Sequence, residues 1–177
     1  PDISQEEAEA FYAAKVDADP DRPVSHGLNS RLSRNENGEI YEEVFSARGR
    51  YASSIQEIIG HLEKAKDVAE NDDQAAALKL LIEYYETGDL TKWDDYNIAW
   101  VKTTGGDVDY INGFVEVYND PMGYRGSYET VVQVKDFDAS ERMAVVADNV
   151  QWFEDHGPIM DDHKKKNVVG VSYKIVT

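Results

Sequence analysis

A chain of 177 residues that is 41% hydrophobic, with eleven tyrosines and three tryptophans, holds enough apolar material to fill a packed core, which excludes an acidic disordered tail. Its formal net charge of −17 repels phosphate backbones and anionic lipid, so nucleic acid and membrane surfaces are not expected partners and amine-bearing ones are favoured, although an acidic surface also serves solubility alone. The absence of cysteine excludes a disulfide framework, a thiolate nucleophile and a cysteine zinc site, and no run approaches the ~18 apolar residues of a membrane span.

The absence of cysteine fits a cytoplasmic chain, and the residues Pro1 to Glu7 have no basic and apolar leader pattern. The chain opens without Met and closes inside an apolar strand-like stretch, Val168 to Val176, which reads as an internal piece of a longer protein; a terminal strand docked in a sheet is the alternative.

In chain order, Ala8, Phe11, Tyr12 and Ala14 among acids predict a helix over 4–16, with Ser4 as N-cap, Glu7 three residues on, and Pro20 and Pro23 beyond its end. Leu28 to Phe45 predicts a β-hairpin turning at Asn35-Glu36-Asn37-Gly38. Ile55, Ile58, Ile59, Leu62, Ala65 and Ala69 recur at helical spacing behind a Ser54/Glu57 capping box. Asn71-Asp72 breaks that helix, and Leu78, Leu81, Ile82 and Tyr85 define a second one closed by Thr87-Gly88, so the two form a helical hairpin.

A third helix from Thr91 places Trp93, Tyr96, Asn97 and Trp100 on one face and ends at Gly105-Gly106. Strands follow at 108–118 and 126–134, rich in β-branched and aromatic residues. A final long helix is predicted behind an Asp138/Glu141 cap, with Met143, Val146, Ala147, Val150 and Phe153 as its buried stripe and His156-Gly157-Pro158 as its end. No linker, repeat or low-complexity tract divides the chain, so residues 1–177 read as a single domain. The fold class is α+β: helices packed around an antiparallel sheet or partial small β-barrel, with the last strand at the C-terminus.

The segment Gly113 to Glu129 is the most unusual. On a strand, Phe114, Glu116 and Tyr118 share one face and Val115 and Val117 the other. The turn Asn119-Asp120-Pro121-Met122-Gly123 brings Tyr128 and Glu129 back toward that strand. Carboxylates and phenols together suit a substrate ammonium; an ordinary hairpin with solvated acids is the simpler account of the pattern. Paired acids also serve glycoside hydrolysis, but no motif supports it. His26, His61, His156 and His163 include no pair at zinc-helix spacing, Asp161-Asp162-His163 reads as a solvated loop, and no nucleophile elbow, phosphate loop or dinucleotide fingerprint is present. No bound metal is expected on this chain.

Phe114 to Glu129 resembles the Gly-Phe-x-Glu-x-Tyr-x-Asp-Pro…Gly…Glu signature of the dipeptidyl peptidase III family of zinc metallopeptidases. His26 to Leu32, Leu62 to Lys66, Tyr85 to Leu90 and Gln151 to His156 are similar to the family as well, so the resemblance spans nearly the whole chain. Val117 stands where Ser is frequent and Tyr128 where another aromatic is frequent.

The resemblance implies a two-lobed zinc exopeptidase that releases dipeptides from peptide N-termini, with this chain part of the substrate-binding lobe built around a small barrel. It also implies that Glu116 holds the substrate's α-ammonium, that Tyr118 binds near the scissile bond and that Glu129 is a further cleft residue. The family's His-Glu-x-x-x-Gly-His helix, downstream Glu ligand and substrate-clamping Asn residues are not in this sequence. The expected partners are therefore an oligopeptide and the remaining lobe of the parent, with zinc in the parent only and the piece inactive by itself. The alternative is a stand-alone acidic peptide-binding or structural domain without catalysis.

Overall fold

A computed structural model of the chain describes residues 2–168 and Val176. The described elements are α1 (Gln5–Ala13), β1 (Ser30–Arg34), β2 (Ile40–Val44), α2 (Ala52–Asp67), α3 (Asp72–Thr87), α4 (Leu90–Trp100), β3 (Val108–Phe114), β4 (Tyr128–Val134), α5 (Phe137–Asp148) and α6 (Val150–His156), followed by a short 3-10 turn at Asp161–His163. The class is α+β. Among the described residues the strands form two separate two-stranded sheets, β1–β2 and β3–β4, without closing a barrel. Most of the expected C-terminal strand lies outside the described residues; Val176 pairs antiparallel with Lys135.

The chain divides into two compact units, one of Pro1–Gly106 and Ile111–Thr130, the other of Asp107–Tyr110 and Val131–Thr177. The core of the first unit is built on α3. Ala77, Leu81, Tyr84 and Tyr85 are fully buried, and Leu78 and Ile82 nearly so. The spacing of Leu78, Leu81, Ile82 and Tyr85 winds them into one stripe, and burying each large apolar side chain contributes about 1.5–3 kcal/mol.

The caps explain where α3 sits: Asn71 accepts from the Gln74 amide at its start, and Gly88 takes the left-handed conformation at its end, φ +74°. The N-terminal helix is capped as its sequence predicts, since Ser4 and Glu7 exchange both bonds of a capping box.

The first hairpin is antiparallel from Ser30 opposite Val44 to Arg34 opposite Ile40, and Gly38 supplies the positive φ (+84°) its turn requires. Its base is tied to α3, because Asn29 donates from Nδ2 to the Gly88 carbonyl (2.9 Å) and the Ala47 amide donates to the Tyr85 carbonyl (2.8 Å).

Three element boundaries are corrected. Helix α2 starts at Ala52, with Tyr51 as its N-cap in the left-handed region (φ 64°) and no capping side chain, so Ser54 and Glu57 lie inside the helix and form no capping box. The Tyr51 ring packs edge-on against Phe45 at 5.3 Å, a contact that helps hold this uncommon conformation. The third helix stops at Trp100 with Val101 as its C-cap, ahead of the two glycines. The first site strand ends at Phe114, so Tyr118 lies in the following turn.

In the second unit, the long C-terminal helix is two helices that meet at Asn149, and α5 is capped by Asp136, which accepts from the Ala139 amide. Its predicted apolar stripe has no buried member: Val146 is 42% and Phe153 50% exposed.

Candidate functional site

The site hairpin hangs from the core of the first unit by three kinds of contact. Phe114 is buried, 5.2 Å from the Phe45 ring and 5.6 Å edge-on from Tyr128. Gly113 lies flat against the Trp93 indole, where a Cβ would collide with the ring. Asn112 accepts from the Tyr85 hydroxyl (2.5 Å) and donates from Nδ2 to Tyr128 Oη and Thr130 Oγ1, both at 3.1 Å. A fully buried tyrosine of α3 thus ties β3 to the core and, through Asn112, to β4, and its burial pushes the phenol pKa far above its ordinary value.

Beyond Phe114 the strands keep pairing without regular geometry: the Val115 amide donates to the Ser127 carbonyl (3.0 Å) and the Ser127 amide to the Glu116 carbonyl (2.8 Å). Gly126 then donates to the Leu28 carbonyl (2.8 Å), and a Cβ at Gly126 would lie 2.9 Å from the Phe114 carbonyl carbon and 3.1 Å from the Leu28 oxygen. Glycine is required by this close approach of three backbones.

The turn is closed from within. Asp120 accepts from the Tyr124 amide (3.0 Å), Asn119 donates to Ser127 Oγ (3.1 Å), and Gly123 takes φ +70°. Tyr124 stacks on Tyr12 of α1, with centroids 4.2 Å apart, so the N-terminal helix braces the turn.

Against that frame of contacts the sequence-predicted residues fall as follows. Val115 and Val117 are half-buried and line one hollow with Trp93 and Tyr124, as alternation requires. Glu116 is exposed, Tyr118 is 74% exposed in the turn, and Glu129 is half-buried on β4. The side chains of these three make no hydrogen bond or ion pair with other described residues. Tyr128, expected to join them, points its hydroxyl at Asn112 and its ring at Phe114, where it serves packing. The hairpin therefore presents an exposed Glu116 and a half-buried Glu129 on a hydrogen-bonded backbone, not a closed cluster of carboxylates and phenols.

Among the described residues no group of three or more His, Cys, Asp or Glu side chains is placed to hold a metal ion. His26 pairs with Asp17 (2.9 Å) and His156 Nδ1 faces the Trp152 carbonyl (2.8 Å). No described helix is long and apolar enough to cross a membrane. Sequence reasoning passed over Asn112 and Gly126, whose roles depend on partners far away in the chain.

Residues 11–169 match the profile of Peptidase family M49, and the chain belongs to that family. Its relatives include proteins named dipeptidyl peptidase 3. Dipeptidyl peptidase 3 of Mus musculus is 33% identical over 124 residues, covering 70% of this chain and 16% of that protein. Its Homo sapiens counterpart is 37% identical over 87 residues, covering 49% and 12%.

Among solved structures, DPP III from Caldithrix abyssi is similar with a TM-score of 0.69 at 22% identity, and dipeptidyl-peptidase III from Corallococcus sp. strain EGB with 0.63 at 18%. Each comparison covers 94% of this chain but 30% of the solved one. The chain thus spans less than a third of the proteins it matches.

Proposed function

We propose that this chain is the substrate-binding portion of a zinc-dependent dipeptidyl peptidase III-like exopeptidase, one that releases dipeptides from peptide N-termini. The observation that carries the reading is the Glu116 carboxylate: exposed, without an ion-pair partner among the described residues, and held on a backbone pinned at Asn112, Ser127 and Gly126. A substrate α-ammonium supplies the charge and the donors that such a carboxylate lacks. Tyr118, at the start of the turn, takes the peptide near the scissile bond, and Glu129 is a further cleft residue.

In this reading the metal ligands belong to other parts of the parent, and the chain's own share of the reaction is binding and orientation. By itself it binds peptides weakly and does not hydrolyse them, because a half-open cleft leaves both partners hydrated. The exposed apolar face of the second unit, with Val145 64%, Trp152 56% and Phe153 50% exposed, supports a remaining lobe as a partner, given that the solved neighbours are over three times longer. The parent is taken to be cytoplasmic.

Calorimetry tests the reading on the chain as it stands. Ala-Ala-Phe-amide should bind about three- to fivefold more tightly than its N-acetyl derivative, the return expected of one solvated ion pair. Glu116→Gln should erase that difference. Equal affinity of the two peptides for the unaltered chain would overturn the role of Glu116.

A further inference from the structure

Behind the site hairpin the first unit contains a cavity of about 570 Å³, within the range of small-molecule sites. Its walls are of two kinds. Phe45, Ile55 and Phe114 form an apolar floor, while Arg31, Arg50 and Arg125 reach it from β1, from the residue before Tyr51 and from the site turn. Three of the chain's seven arginines therefore share one hollow in a protein whose formal net charge is −17.

The local carboxylates do not neutralise them. Glu43 accepts from Arg31 Nε (2.6 Å) and stands 3.4 Å from Arg50 Nη1, so one carboxylate is shared by two guanidiniums. Arg125 is 3.9 Å from Asp120 Oδ1, too long for a hydrogen bond, and half exposed. Neither Glu43 nor Asp120 lines the cavity. Ser54, in the first turn of α2, also lines the cavity, and that turn has no capping side chain and no acid to add negative charge there.

We propose that this cavity binds an organic carboxylate on an apolar body, the chemistry of a peptide's C-terminal residue or of an N-acyl amino acid. The guanidiniums take the carboxylate in the fork geometry that arginine offers and lysine does not. The ring or branched chain lies on Phe45, Ile55 and Phe114. Inorganic anions lack the apolar half of this match, and neutral aromatics lack the charged half. The site is separate from the ammonium-holding role of Glu116 and does not depend on it.

The test uses N-acetyl-phenylalanine, which has no ammonium for Glu116 to hold, N-acetyl-phenylalaninamide and inorganic phosphate, each titrated into the whole chain and followed by calorimetry. The acid should bind about tenfold more tightly than the amide or phosphate, the difference expected of a charge-assisted pair. Arg125→Gln, which leaves the Arg31–Glu43 pair intact, should weaken the acid about threefold, and Arg50→Gln by a similar factor, with circular dichroism confirming that both variants fold. Equal binding of acid and amide, phosphate matching the acid, or two folded variants that bind like the parent would each overturn the proposal. Because N-acetyl-phenylalanine carries no ammonium, the outcome of this titration and that of the ammonium test are read separately.

Discussion

Replacing Asn112 by Ala probes how the site hairpin is held to the core. Asn112 makes three hydrogen bonds, and they differ in worth. The Tyr85 hydroxyl belongs to a fully buried residue, so removing its acceptor (2.5 Å) leaves a desolvated donor, at about 1–3 kcal/mol. The bonds to Tyr128 Oη and Thr130 Oγ1 (both 3.1 Å) are solvent-exposed and water replaces them, at about 0.5 kcal/mol each.

The expected loss from Asn112→Ala is therefore about 2–4 kcal/mol, or roughly 4–16 °C in melting temperature for a chain of this size. Tyr85→Phe should cost less, about 1 kcal/mol, because the freed Asn112 carbonyl can turn to water. In the Tyr85→Phe background, Asn112→Ala should lose most of its effect, a coupling read from a double-mutant cycle in urea. Additive losses, or a single-mutant cost below about 0.5 kcal/mol, would refute the anchoring role of this pair.

Two further predictions concern backbone and charge. Gly38 and Gly88 both have positive φ, +84° and +74°; a Cβ at Gly38 meets nothing within 4 Å, whereas one at Gly88 collides with the Val44 side chain and lies 3.3 Å from Ser46 Cβ. Gly38→Ala should cost about 1 kcal/mol of strain and Gly88→Ala about twice that or more, and the reverse order of urea midpoints would contradict the packing described.

The backbone amide of Ser4, and then Arg34, hold Glu7 below its ordinary 4.5, and Arg31 does the same for Glu43. Because their folded pKa values are depressed, the stability they contribute is complete above about pH 4.5 and is lost as pH falls through the folded values. The urea midpoint should be flat from about pH 7 to 5 and fall below that, less steeply for Glu43→Gln; an unchanged slope in that variant would remove Glu43 from the account.

Much of the helical scaffold was legible because its signals are local. Ser4 with Glu7, and Gly38 and Gly88, act within a turn of where they stand, and the structure places each as the pattern implies. The misreadings share a cause. Ser54 and Glu57 have the spacing of a capping box, but α2 begins earlier because Tyr51 packs on Phe45, a contact that periodicity does not carry. The spacing from Met143 to Phe153 predicts a buried stripe, yet spacing says only that a face is apolar, not that it is covered.

The site divides in the same way. The alternation that sets Val115 and Val117 on one face was readable, whereas the burial of Phe114, the strand's early end there and the bond of Tyr128 to Asn112 depend on tertiary contacts. The arginine-lined cavity joins residues from β1, the approach to α2 and the site turn, a juxtaposition no local pattern records.

The central claim is that the Glu116 hairpin receives a peptide N-terminus, and amide chemical-shift mapping tests it most directly. On titration of the isotopically labelled chain with Ala-Ala-Phe-amide, the largest shifts should fall on residues 114–120 and 127–129, and should shrink when the peptide is N-acetylated or Glu116 is changed to Gln. Shifts scattered over the acidic surface, or the same map for the acetylated peptide, would contradict it.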